Sequence, residues 1–264
     1  MATFTNSYKP PYDVKVLPEA DRFGPTPYDL NFPLPIHLES LQTERVFLTP
    51  FIPSIHGKAY WDAIASNLYL YNYYPWVCQS YEEVLTFFEL KIRRDTTRVM
   101  FAVIDKTRPD PAHPEFGGGS LAGVVGLFRT SASDLSTEIA HVMTFPSFQR
   151  THVTGNACGI LAKYCLDPPT ASPPGLGLRR VQWYCHSENV KSATLAERLG
   201  MKREGILRWH AVTQPALREW GKITRKEDPF PDMPGRDTLC LSVCWDEWEA
   251  GGREKVQAVI DRKA

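Results

Sequence analysis

Residues 146–157 combine groups that bind a phosphate. The segment reads Pro-Ser-Phe-Gln-Arg-Thr-His-Val-Thr-Gly-Asn-Ala and leads into an amphipathic helix pattern over residues 157–165. The start of a helix presents unpaired backbone N–H groups and the positive end of the helix dipole, so an anion is stabilised there. Further donors come from Gln149, Arg150, Thr151 and Thr154. The segment is therefore a candidate phosphate site, although an ordinary capped helix start has the same features.

The elements that must position this segment follow from periodicity. Strand patterns occupy residues 44–51, 99–104, 121–129, 136–145, 178–186 and 237–245, and helix patterns begin at Ser54, at the capping box Ser80–Glu83, after the candidate phosphate site, and at Asn189. Ser54 and Asn189 are each expected to cap the helix that follows, and Gly200 is expected to end the helix after Asn189, because glycine accepts the left-handed conformation. The order predicts one α+β domain with a single mixed sheet.

Proline divides the chain into a domain and its additions. Most of the 22 prolines lie in residues 10–35, 109–114, 168–174 and 215–234. Such segments resist helix and central strand, so they predict an N-terminal arm and three long insertions. Because the arm mixes its prolines with aromatic and apolar residues, we expect it to pack on the domain.

Composition excludes several classes of protein. Thirty basic and 30 acidic residues leave no net charge to hold a polyanion, so we expect no nucleic-acid partner. No apolar run approaches the roughly 20 residues of a membrane helix, and the N-terminus lacks a signal-peptide pattern. The six cysteines contain no CxxC pair and no Cys/His zinc spacing, and there is no Asn-x-Ser/Thr acceptor. We therefore expect a cytoplasmic protein that has no metal and does not bind a membrane.

Three segments carry a family resemblance. The first, residues 137–154, contains Thr-Glu-Ile-Ala-His-Val-Met-Thr-Phe-Pro and then Gln-Arg-Thr-His-Val-Thr. The second, residues 178–208, contains Asn-x-x-Ser and Glu-Arg-Leu-Gly-Met, and the third is Asp-Glu-Trp at 246–248. Together they resemble the GNAT superfamily of acyl-CoA-dependent N-acetyltransferases, and within it the ribosomal-protein-acetyltransferase-like (RimJ/RimL) branch.

The resemblance implies a mostly antiparallel sheet flanked by helices, with acetyl-CoA as the acyl donor and a primary amine as the acceptor. It divides the chain into the arm (1–40), the acetyltransferase domain (41–249) and a tail expected to be helical (250–264). Strands 136–145 and 178–186 should be sheet neighbours that splay apart around the pantetheine arm of CoA.

The resemblance also assigns roles. Glu138 would be the general base, with an ion-paired structural carboxylate as its alternative. The backbone of Val142, Met143 and Thr144 would bind the thioester oxygen and pantetheine, and Asn189 would bind pantetheine while capping its helix. The pyrophosphate would lie over the loop residues Gln149, Arg150, Thr151, His152, Val153, Thr154 and Gly155.

Three positions depart from the family pattern. His152 and Thr154 replace the small residues that let a loop backbone approach a phosphate closely. The His152 imidazole could donate to a phosphate or point to solvent. Ala196 stands where many members carry a tyrosine that protonates the departing thiolate, so Ser192 is the nearest hydroxyl able to take over this role.

An aromatic cluster is the candidate binding site for the acceptor. Tyrosines and a tryptophan crowd residues 69–76, which in this family wall the acceptor pocket; we expect Tyr74 and Trp76, with Trp209, to contact the substrate. Three hypotheses stand: acetylation of a small-molecule amine, acetylation of a protein or peptide N-terminus, and acyl-CoA binding without turnover. A monomer or a homodimer is compatible with each of them.

Overall fold

The computed structural model describes residues 3–7 and 16–262. These residues form a mixed sheet in the order β1-β2-β3-β4-β5-β7-β6, flanked by helices. The strands are β1 (Val46–Pro50), β2 (Val99–Asp105), β3 (Ser120–Ser131), β4 (Ser136–Thr144), β5 (Arg180–His186), β6 (Lys202–Val212) and β7 (Gly235–Cys244). The helices are α1 (Pro53–Ile64), α2 (Tyr81–Phe87), α3 (Val153–Leu166), α4 (Val190–Arg198), the short α5 (Trp245–Glu247) and α6 (Arg253–Asp261). The predicted α+β fold with a single mixed sheet is confirmed.

Strands β4 and β5 are neighbours only at their first residues. They pair in parallel where Ser136–Glu138 meets Arg180–Gln182, whereas the other strand pairs are antiparallel. Beyond Glu138, β4 continues to Thr144 with no pairing to β5 among the described residues. The predicted splay between the two strands is confirmed.

A β-bulge in β4 accompanies this parting. Gly126 pairs with Ala140 and Val124 pairs with Met143, so His141 and Val142 together oppose the single residue Val125. His141 has φ 48°, a left-handed conformation that an L-residue seldom adopts. An extra residue bends the bulged strand and increases its twist. The bulge therefore places the second half of β4 on a different course from β5.

Helix α3 packs against the sheet with its apolar face and supports the splayed strands. Cys158, Leu161 and Cys165 are fully buried on it. Burial raises the pKa of the Cys158 thiol to about 12 and raises the pKa of Cys165 further. Both thiols are protonated at neutral pH and act as small apolar groups in the core.

The helix ends are set by short-range hydrogen bonds. Ser80 accepts from the backbone N–H of Glu83 at 3.2 Å, as the capping box predicts. The cap expected at Ser54 is wrong, because α1 begins at Pro53 and the backbone N–H of Ile52 is bound instead by the His56 Nδ1 at 3.0 Å. Proline suits the first helical position, where no intrahelical partner awaits its nitrogen.

Segments before β1 and after β7 contact the core. Leu30, Phe32 and Leu34 of the proline-rich arm pack against it, whereas residues 1–2 and 8–15 of the arm lie outside the described residues. At the other end, α6 lies on α3, where Gly159 faces Ile260. Within the described part of the chain, no helix has the length and apolar character needed to span a membrane.

Trp248 joins the end of the sheet to α3. Its fully buried indole donates to Asp167 Oδ1 at 2.9 Å, and Arg253 donates to the same oxygen at 2.9 Å. We expect Trp248→Phe to lower the free energy of unfolding by about 1–2 kcal/mol, because one hydrogen bond to a charged group is lost while Arg253 still satisfies Asp167. Urea unfolding would show this as a lower midpoint with an unchanged slope.

Trp245→Phe is the matched control, because the Trp245 side chain is 56% exposed. This variant should stay within about 0.5 kcal/mol of the parent. An equal loss in both variants would show that the bond to Asp167 contributes nothing specific.

Candidate active site

A cavity of about 520 Å³ lies where β4 and β5 part. At the loop end, Thr144, Gln149 and Thr154 line it beside the start of α3. At the Glu138 end, it is lined by side chains from β3, β4, β5, β7 and the aromatic link of residues 69–76. These include Tyr74, Trp76, Arg129, Glu138, His141, Tyr184 and Arg236. The cavity therefore connects the candidate phosphate segment with a polar inner pocket.

Side chains at the loop end hold the turn between β4 and α3. The hydroxyl oxygens of Thr144 and Thr154 are 2.7 Å apart, and the Gln149 amide donates to the Thr144 carbonyl at 3.1 Å. The Thr151 hydroxyl donates to the Phe148 carbonyl at 2.6 Å. These contacts preset the shape of the loop, so a bound phosphate would not have to order it.

The start of α3 offers the donors that a phosphate needs. Among the described residues, nothing accepts from the backbone N–H groups of Thr154 and Gly155. Val153 is buried and its backbone N–H donates to the Thr151 hydroxyl at 3.3 Å, whereas the Arg150 side chain is exposed and its backbone has φ 60°. Free N–H groups at a helix start beside a guanidinium fit a pyrophosphate.

His152 differs from both expectations for it. Its imidazole is neither in solvent nor at the loop end of the cavity, because Nε2 lies 3.3 Å from Asp105 Oδ1 and the side chain is 11% exposed. Asp105 ends β2, is fully buried and also accepts from Thr107 at 2.7 Å. The side chain at 152 thus joins the loop to β2, and only its backbone N–H could serve a phosphate.

The second half of β4 presents its backbone to the cavity. Val142, Met143 and Thr144 line it, as expected, on the stretch where β5 no longer pairs with β4. The Tyr74 hydroxyl donates to the Val142 carbonyl at 2.9 Å, which secures the bulge from the aromatic link. Unpaired strand edges bind an extended ligand through main-chain hydrogen bonds.

Asn189 and Ser192 lie on the β5 side of the cavity. The Asn189 side-chain oxygen accepts from the Ser192 backbone N–H at 3.1 Å, so the predicted N-cap is confirmed and the amide NH₂ remains available. The Ser192 hydroxyl oxygen accepts from the Trp183 indole at 2.9 Å. With its oxygen occupied, the Ser192 hydroxyl keeps its proton for another acceptor.

Helix α4 explains why no tyrosine stands at the usual position of the acid. Ala196 is fully buried and does not line the cavity. Gly200 follows the helix with φ 86°, which confirms the predicted end of the helix. Among the hydroxyls of α4, the one that reaches the cavity is that of Ser192.

Glu138 is buried at the paired end of β4. Its side chain is 4% exposed and accepts from the Arg129 guanidinium, which also lies over the Tyr184 ring at 4.9 Å. Burial raises the pKa of Glu138, and Arg129 opposes that rise. The carboxylate is thus both ion-paired, as its alternative interpretation held, and inside the cavity, as a base requires.

His141 was not predicted as a site residue. The bulge directs its imidazole into an aromatic box formed by Tyr74, Trp76, Phe87 and Phe128, at centroid distances of 5.1 to 6.3 Å. Neither ring nitrogen has a hydrogen-bond partner among the described residues. Burial, and then the nearby Arg98, lower the pKa of His141 to about 3. The ring is therefore neutral at physiological pH.

Two of the three aromatic residues that we expect to contact the substrate lie at the cavity. Tyr74 and Trp76 line the cavity, whereas Trp209 does not. Trp209 lies on the exposed strand β6, where its ring stacks over Lys222 at 4.8 Å and its backbone N–H donates to Asp237 at 2.8 Å. The next residue, His210, reaches the cavity instead, at a β-bulge between Leu207 and Ala211 where Trp209 itself has φ 54°.

Arg236 was also missed. It begins the polar face of β7, two residues before Thr238, and both residues line the cavity. The period of two along β7 could have signalled that face, since Leu239, Leu241 and Val243 mark the apolar one. No group of three or more His, Cys, Asp or Glu side chains in the described ranges is placed to hold a metal ion.

Comparison with known proteins identifies relatives of this architecture. Residues 45–202 match the family model described as an acetyltransferase (GNAT) domain. No curated protein matches the chain. Many solved structures do, and one is a GCN5-related N-acetyltransferase from Brucella melitensis, which is 25% identical, with a TM-score of 0.63 over 83% of each chain.

More distant structures share the fold. A probable GNAT-family acetyltransferase from Chromobacterium violaceum is 21% identical, with a TM-score of 0.62 over 94% of this chain and 100% of that one. The spermidine N-acetyltransferase from Vibrio cholerae, solved with CoA and spermine, is 14% identical, with a TM-score of 0.55 over 78% of this chain and 99% of that one.

Proposed function

The chain belongs to the acetyltransferase (GNAT) domain family, and on that premise we propose that it transfers the acetyl group of acetyl-CoA directly to the primary amine of a small molecule. We place it near the ribosomal-protein-acetyltransferase-like branch on the motifs in residues 178–208. One observation carries the proposal: a single cavity connects the start of α3, the candidate phosphate site, to the buried carboxylate of Glu138.

We assign the donor to the β4–β5 gap. The backbone N–H groups at the start of α3, with Gln149, Arg150 and the Thr151 to Gly155 loop, would hold the pyrophosphate. The exposed backbone of Val142 to Thr144 and the amide of Asn189 would hold the pantetheine arm. This assignment places the thioester between the bulge of β4 and the start of α4.

The amine nitrogen must lose a proton as it attacks the thioester carbonyl carbon. A base serves best when its pKa lies near the working pH. His141, with a pKa of about 3, is a poor base, whereas burial raises the pKa of Glu138 toward the useful range. We therefore assign the base to Glu138, acting directly or through one water.

The leaving sulfur must be stabilised as the carbon–sulfur bond breaks. We assign that role to the Ser192 hydroxyl, because it lines the cavity and its oxygen already accepts from the Trp183 indole, which leaves its O–H as the donor. A hydroxyl that accepts a hydrogen bond is a stronger donor, since bonds in a chain polarise one another.

The walls of the cavity favour a small acceptor over a polypeptide. The insertion after β6 packs on the aromatic link: Gln214 accepts from the Val77 backbone at 2.8 Å, and Trp220 contacts Tyr73 at a centroid distance of 5.2 Å. The His186 Nε2 forms a hydrogen bond with the Trp220 carbonyl at 2.8 Å. This packing narrows access to the Glu138 end, where a peptide would need an open groove.

Binding and turnover test the proposal separately. Acetyl-CoA at 100 times its Kd should stabilise the folded protein by about 2.7 kcal/mol, seen as a higher Tm. Thiol release should then depend on an added small primary amine. Release with peptides alone would support an N-terminal acetyltransferase instead, and a Tm shift without release from either class would indicate an acyl-CoA-binding domain.

A further inference from the structure

Three arginines surround the Glu138 end of the cavity, and two of them are paired. Arg98 binds Asp95 at 2.9 Å and lies over Phe128, and Arg129 binds Glu138. Within each pair, the positive charge of the arginine is balanced by the negative charge of the carboxylate. The third arginine, Arg236, therefore leaves one buried positive charge there, besides the exposed Lys191 of α4, which also lines the cavity.

Arg236 is buried without a counter-charge. Its residue is 9% exposed, and its Nε has no hydrogen-bond partner among the described residues. No carboxylate in the described ranges forms an ion pair with it, Glu138 included, because that carboxylate is taken by Arg129. The guanidinium lines the cavity beside Thr238 and Tyr184.

A buried, unpaired guanidinium destabilises a fold, because it loses its water without gaining a partner. An apolar residue of similar length would pack there at no such cost. Guanidinium groups stay protonated in proteins and bind carboxylates in a planar, two-bond geometry. A ligand carboxylate would supply the counter-charge that the chain itself does not.

We propose that the acceptor is a primary amine that also carries a carboxylate, and that Arg236 binds this carboxylate while the amine faces Glu138 and the thioester. This inference rests on the proposed acetyltransferase function and names the class of its acceptor. One uncompensated buried positive charge matches a monoanionic group and opposes a second ammonium.

Neighbouring titratable groups do not change this balance. Burial lowers the pKa of His186 and of His210, and Arg236 lowers both further. Both imidazoles are therefore neutral near pH 7, as is His141. Tyr74 and Tyr184 stay protonated because burial raises the pKa of each phenol. The charged groups that remain are the two arginine pairs, the buried Arg236 and the exposed Lys191 of α4.

Matched acceptors test the proposal on the parent enzyme. Glycine, β-alanine and γ-aminobutyrate would be compared with ethylamine, propylamine and butylamine, and with diamines of the same lengths, by thiol release from acetyl-CoA. We expect the best amino acid to exceed its matched alkylamine and diamine in kcat/KM by at least about tenfold, the value of one charge-assisted bond. A preference for diamines or alkylamines would overturn the inference and leave the acetyltransferase proposal standing.

Substitutions assign the preference to one side chain. Arg236→Gln should remove about 10- to 100-fold of the advantage of the amino acid over its matched alkylamine, mostly through KM. The alkylamine measured on the same variant corrects for the loss of the effect by which Arg236 lowers the pKa of Glu138. Arg236→Lys should keep part of the advantage. Arg203→Gln is the control, because Arg203 lies on exposed β6, pairs with Glu197 and does not line the cavity. An unchanged preference in folded Arg236→Gln would overturn the assignment.

Calorimetric binding separates the two proposals. The amino acids would be titrated into the complex of the protein with CoA. Binding that is lost in Arg236→Gln, without any thiol release in the parent, would support the carboxylate site and overturn the proposed reaction. Thiol release from the parent, with amino-acid binding that is unchanged in Arg236→Gln, would support the proposed reaction and overturn the carboxylate site.

Discussion

We expect Glu138→Gln to lower kcat by about 10²–10⁴-fold while the KM for acetyl-CoA stays near the parent value. The amide preserves the shape of the side chain and its contact with Arg129, but it accepts no proton from the amine. The carboxylate lies inside the cavity, six positions before Thr144 at the loop end of β4, so the donor site should be unaffected.

The pH profile separates a base from a structural partner of Arg129. Burial raises the pKa of Glu138, so the base works only above that raised pKa, and the rate of the parent should rise with pH through it. In Glu138→Gln, the rise in rate that follows ionisation of Glu138 should be absent. The rise that follows deprotonation of the free amine substrate should remain. Rates must therefore be compared across pH.

Two variants control for the ion pair. Arg129→Gln removes the partner but leaves the base, so it should lose far less activity than Glu138→Gln. Glu204→Gln breaks an ion pair with Arg180, whose atoms approach to 2.5 Å, and does not line the cavity. If Glu138→Gln turned over at the full parental rate at every pH, the carboxylate would be structural and the reaction would rest on positioning.

Charge reversal in the loop has the second large effect. We expect Arg150→Glu to raise the Kd for acetyl-CoA by about 10- to 100-fold, because one charge-assisted bond is lost and a carboxylate is placed beside the pyrophosphate. This loss should exceed that from alanine at Gln149, Thr151 or Thr154. Added salt should narrow the difference from the parent, since Arg150 is exposed.

Arg179→Glu is the matched charge reversal. Arg179 is equally exposed but lies just before the end of β5 that pairs with β4, away from the loop. Calorimetry should find its affinity near that of the parent. If Arg150→Glu bound acetyl-CoA as tightly as the parent, the pyrophosphate would lie elsewhere.

The sequence by itself determined the order of six of the seven strands, all but β6, and the helix ends at Ser80, Asn189 and Gly200. Each depends on near neighbours in the chain: a period of two or 3.6, a side chain that reaches a backbone N–H three residues on, or a glycine that accepts a positive φ. The location of the phosphate segment also followed from the step from strand to helix. The splay of β4 from β5 came from the family resemblance.

Only the tertiary structure decided where the side chains of the site point. His141 enters the cavity because a bulge in β4 redirects it, and His152 turns to Asp105 because β2 lies beside the loop. Trp209 falls on the outer side of β6, whereas Arg236, which pairs with Ala211 of β6, lines the cavity. Sequence periodicity assigns a residue to a face of its own strand. The partner that a buried charge meets, or lacks, depends on strands far apart in the chain, and no local pattern encodes it.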